Sequence, residues 1–82
     1  MKILLADDNQ DILHFSRKGL ESEGYDVFST TNGADVLNIV KSSDIDVMVL
    51  NINLPYLRWN KINKSIEGEA ETPVIFIIPE NL

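Results

Sequence analysis

The sequence predicts an α/β fold, a parallel sheet of about four strands with about three helices packed on its faces. Three observations carry this reading. Short apolar runs at residues 2–6, 25–29, 47–51 and 74–78 alternate with helix-like stretches near 10–23, 34–42 and 57–67, giving the order βαβαβαβ. Two of the runs, residues 47–50 and 74–78, have no polar face, as expected of strands covered on both sides. The boundaries carry their own signals: Asn9 before a helix, Gly24 after it, and Pro55, Pro73 and Pro79 around the later runs.

In chain order, the first strand ends at the acidic pair Asp7-Asp8. Asn9 caps the first expected helix, with Asp11 near its positive end. Ile12, Phe15 (with Leu13 as the alternative), Gly19 and Leu20 approximate its inward stripe. Gly24 suits a left-handed position after the helix. Residues 25–29 are more polar and alternate, which places them at a sheet edge. Thr30-Thr31-Asn32-Gly33 reads as a turn, and Val36, Leu37 and Val40 are the inward side of the second helix. Trp59, Ile62 and Ile66 fall at i, i+3, i+7, which places a third helix near 57–67.

The composition narrows the function. At 82 residues the chain has room for one small domain, residues 1–82, with a modest core. It has no cysteine, so neither a disulfide nor a thiolate metal site is expected. The net charge of −6, with the basic residues spread along the chain, argues against nucleic acid as a direct partner. No apolar run approaches the roughly 20 residues of a membrane span, and no leader opens the chain, so the expected location is cytoplasmic and off the membrane.

The order of residues 46–55 matters most. Asn51 ends the apolar run Val47-Met48-Val49-Leu50, and in a parallel α/β sheet ligands gather at the carboxyl ends of the strands. The residue at that position is an amide. Its oxygen is neutral and its nitrogen lone pair is delocalised, so it offers no nucleophile.

The segments Lys2-Ile-Leu-Leu-Ala-Asp-Asp8, Leu20-Glu-Ser-Glu-Gly-Tyr25, Thr31-Asn-Gly33, Asp46-Val-Met-Val-Leu50 with Ile52 and Leu54-Pro55, and Thr72-Pro-Val-Ile75 together resemble the receiver domain of bacterial two-component response regulators. The resemblance covers nearly the whole chain. It implies a flavodoxin-like, three-layer fold with strand order 2-1-3-4, in which the fourth helix, fifth strand and fifth helix of the family have no counterpart. It also implies phosphoryl transfer from a histidine kinase, with magnesium held by Asp7, Asp8 and the backbone carbonyl of Asn53. The phosphoacceptor aspartate of the family falls on Asn51, its phosphate-sensing hydroxyl residue falls on Ile78, and its lysine after the fifth strand is unmatched. Tyr56-Leu57-Arg58-Trp59 stands where Gly and Asp are usual after the Leu-Pro turn.

These departures lead to a degenerate, C-terminally truncated receiver: a signalling or scaffold module, not an enzyme, that acts by protein contact without phosphorylation. The alternative is a residual receiver that still binds magnesium and responds to a histidine kinase or an acyl phosphate. A remnant with no assigned task is the third reading. No cofactor is expected, with weak magnesium binding kept open. Asn51 and Asn53 have a second reading, as hydrogen-bond partners of the acidic pair and its loops. An apolar edge strand invites pairing, so Val74, Ile75, Phe76, Ile77 and Ile78 are the candidate interface, covered by a second copy in a homodimer or by a partner protein.

Overall fold

The computed structural model of the chain describes residues 1–51, Leu54 and residues 73–77. The helix expected near 57–67, together with Asn53 and Ile78, lies outside these residues. In chain order the described elements are β1 (Lys2–Ala6), α1 (Gln10–Ser22), β2 (Asp26–Thr30), a short 3-10 helix (Gly33–Asp35), α2 (Val36–Ser43), β3 (Val47–Asn51) and β4 (Val74–Ile77). The strands form one parallel sheet in the order β2-β1-β3-β4. That is the expected order, with β2 and β4 the outer strands among the described residues.

Alternation along the strands builds two cores. Leu4 and Ala6 of β1 share a face with Met48 and Leu50 of β3, because Leu4 pairs with Met48 and Ala6 with Leu50. Helix α2 covers that face through Val36, Leu37, Ile39 and Val40, and Ile45 and Leu54 close it. On the opposite face Ile3, Leu5 and Val27 meet Leu13 and Leu20 of α1. Burying each such Leu or Val side chain is worth about 1.5–3 kcal/mol.

Two expectations need correction. The inward stripe of α1 is Leu13 and Leu20, while Phe15 is 81% exposed and Ile12 47% exposed. The helix is rotated so that the stripe falls at i and i+7, and Leu13, the alternative to Phe15, is the residue that meets the sheet. Strand β3 was expected to be buried on both faces. It is fully covered only on the α2 side; Val47 and Val49, facing α1, are half-buried. Ile75, beside Val49 in the register, is 55% exposed. Among the described residues α1 reaches across β1 and β2, so the β3–β4 half of that face has thinner cover.

The helix ends follow local chemistry. The Asn9 side chain accepts hydrogen bonds from the backbone of Asp11 (2.9 Å) and Ile12 (3.2 Å), which satisfies two of the otherwise unpaired N–H groups of α1. Gly24 has φ of 91°, the left-handed conformation that lets the chain leave the helix and enter β2. Asn9→Ala is expected to lower stability by about 1 kcal/mol. Urea unfolding checks this, and an unchanged midpoint would show that the cap contributes nothing.

Candidate functional site

The site lies at the carboxyl ends of β1 and β3. Ala6 pairs with Leu50, so the next residues, Asp7 and Asn51, stand side by side at the rim. Both are buried, Asp7 at 5% exposure and Asn51 at 9%. A buried carboxylate needs partners, and Asp7 has them. Its Oδ1 accepts from the backbone N–H of Asn9 at 2.9 Å and from Asn51 Nδ2 at 3.3 Å. A carboxylate only accepts, so the amide of Asn51 must present its nitrogen to it. The Asp7 backbone N–H donates to Thr30 O at 3.2 Å, which fixes the rim to the end of β2.

Of the other residues named from the sequence, Asp8 is exposed at the start of the loop into α1. The Leu54 backbone N–H donates to Asn51 O at 3.0 Å, and the Leu54 side chain enters the core. Val74 to Ile77 form the edge strand, with Val74 and Phe76 half-buried and Ile75 exposed. The contribution of Asn9 was not anticipated. Besides capping the helix with its side chain, it donates its backbone N–H to Asp7 Oδ1. The sequence signal for this is the Asp-x-Asn spacing, in which an aspartate side chain accepts from the backbone two residues on.

Magnesium prefers carboxylate and water oxygens in near-octahedral geometry. The described side chains fit it poorly as they are arranged, because the Asn51 N–H donor is directed at Asp7 Oδ1 and takes an acceptor position that a cation would need. Among the described residues no three acidic, histidine or cysteine side chains converge to hold a metal.

The family model for the response regulator receiver domain matches residues 3–81. The chain belongs to the response regulator receiver domain family. It is 36% identical over 76 residues to response regulator SaeR of Staphylococcus aureus, an alignment covering 92% of this chain and 33% of SaeR. The chain therefore spans about a third of the length of this curated relative. Among solved structures it superimposes on a Francisella response regulator receiver domain with TM-score 0.82 and 28% identity, covering 99% of this chain and 68% of that one. Response regulator TrrA, solved in complex with histidine kinase ThkA, gives a TM-score of 0.78 at 23% identity, covering 99% of this chain and 71% of the matched chain. The fold of this receiver-family chain is thus the flavodoxin-like one, with the strand order expected from its sequence. No helix among the described residues is long and apolar enough to cross a membrane.

Proposed function

We propose that this receiver-family chain is a degenerate, phosphorylation-independent signalling module, non-enzymatic and cytoplasmic, that works through protein contacts. One observation carries the reading: the buried hydrogen bond from Asn51 Nδ2 to Asp7 Oδ1. Phosphoryl transfer rests on positioning and charge stabilisation around an in-line nucleophile. An amide at the strand end supplies no nucleophile, and its N–H gives the neighbouring carboxylate a neutral partner in place of a cation. Asp7, Asp8 and Asn53 are then the vestige of a cation site.

The partner is a protein, either a second copy or another chain, seated on the edge formed by Val74, Ile75, Phe76, Ile77 and Ile78. The exposure of Ile75 supports that surface. That TrrA is solved in complex with a histidine kinase supports a protein as the class of partner. With a net charge of −6, nucleic acid is disfavoured.

Beryllium fluoride with magnesium mimics the phosphorylated state and tests the chemistry. No change in tryptophan fluorescence or amide spectra is expected, whereas a saturable, magnesium-dependent change would favour the residual receiver. Sedimentation over a concentration series tests the surface. Reversible self-association that is lost in Ile75→Lys is expected for a homodimer; a well-folded monomer at all concentrations would reject it.

A further inference from the structure

We propose that the groove between α1 and β2 is a binding site for a small phosphate monoester, separate from the Asp7–Asn51 pair. The groove is a surface cleft open to solvent, with a volume of about 410 Å³, within the range of roughly 300–1,000 Å³ typical of small-molecule sites. One wall is a single face of α1, since Gln10, Leu13, His14 and Arg17 follow the i, i+3, i+4, i+7 spacing. The other wall is the end of β2, where Ser29 and Thr31 bring hydroxyl groups. The groove opens at the carboxyl end of β2, on the rim where parallel α/β sheets collect ligands, and β1 separates it from Asn51.

The chemistry of the walls selects the ligand. Arg17 Nη1 donates to Ser29 Oγ at 3.2 Å, which draws the guanidinium across the groove. Its Nε donates to Glu21 Oε1 at 3.0 Å, an ion pair whose side chains are 45% and 50% exposed. Such a pair is worth about 0–1 kcal/mol, so an oxyanion can replace it at little cost. A guanidinium fork suits a phosphate group bidentately, and hydroxyls supply further donors.

The Thr30 hydroxyl is already spent on Asn32 O and Asp35 Oδ2, so Thr30 serves as wall and not as donor. Leu13, buried beneath, gives an apolar floor, and Gln10 offers an amide to ligand hydroxyls. The volume leaves room for an organic body beside the phosphate. The chain's net charge of −6 opposes any anion at long range. Affinity therefore comes from directed contacts and is millimolar.

The test is an amide chemical-shift titration of the full chain with glucose 6-phosphate, run beside glucose and inorganic phosphate. Saturable shifts at Arg17, Ser29 and Thr31 are expected with glucose 6-phosphate, none with glucose, and weaker binding with phosphate. Arg17→Gln should weaken binding about tenfold, the loss of one charge-assisted contact. Ser29→Ala should weaken it less, and Lys18→Gln, outside the groove, should leave it unchanged. Absence of saturable shifts, an Arg17→Gln chain that binds as before, or inorganic phosphate binding as tightly as the ester would each overturn the proposal. None of these outcomes bears on the role of Asn51.

Discussion

Asn51→Asp is expected to lower the stability of the chain by about 2 kcal/mol in the absence of divalent cations, with magnesium restoring most of the loss. The reason is the 3.3 Å contact between Asn51 Nδ2 and Asp7 Oδ1. The substitution exchanges a donor for an acceptor inside a buried pair. Among the described residues the Asp7 side chain then keeps only the Asn9 backbone N–H as partner, and it faces a second carboxylate. Two like charges about 4 Å apart at an effective dielectric near 20 repel by on the order of 4 kcal/mol, and side-chain rotation toward solvent relieves part of this.

A divalent cation between the carboxylates would turn that repulsion into attraction, so the variant should show a magnesium-dependent rise in thermal midpoint. The parent chain, whose amide already satisfies Asp7, should show little. Equal stability of the two chains in chelator would mean that the hydrogen bond does not hold the rim together.

Leu50→Ala is expected to cost about 3 kcal/mol, within the range for emptying a leucine site in a packed core. Leu50 has no exposed surface and lies between Leu4 and Ala6 of β1, Phe76 of β4 and the residues of α2. Domains commonly have only about 5–15 kcal/mol in total, and a chain of this size sits toward the lower end. The variant should therefore unfold at a much lower urea concentration, with a fraction unfolded before denaturant is added. Phe15→Ser is the contrasting control. Phe15 is 81% exposed, so despite its size its replacement should shift the midpoint by less than about 0.5 kcal/mol. A large loss from Phe15→Ser with a small one from Leu50→Ala would mean that the assigned core is wrong.

These two residues also show what the sequence could and could not reveal. Leu50 was legible because it lies in an uninterrupted apolar run, and a strand with no polar side must be covered on both faces wherever the sheet has cover to give. Phe15 was not. Ile12, Leu13 and Phe15 all lie near the helical stripe, and periodicity alone leaves the helix free to rotate by about 100° per residue. Packing against Val27 and Leu5 settles the rotation in favour of Leu13.

The strand order was legible through the resemblance to receiver domains, and the amide at the end of β3 through its place after Val47 to Leu50. The contact of that amide with the acidic pair was one of the two readings its sequence allowed, and only the fold selects it, because Asp7 lies forty-four positions away in the chain and is adjacent only after β1 and β3 pair. The α1–β2 groove escaped for the same reason. Arg17 and Ser29 become neighbours only in the folded chain.

Intact-mass measurement of the chain after incubation with magnesium and a small acyl-phosphate donor tests the central claim most directly. The expected result is an unchanged mass at every time point, while Asn51→Asp treated in parallel shows whether a carboxylate at that rim can take up phosphate. A stoichiometric mass gain of one phosphoryl group on the parent chain, mapped to Asp7, Asp8 or Asn51, would contradict it.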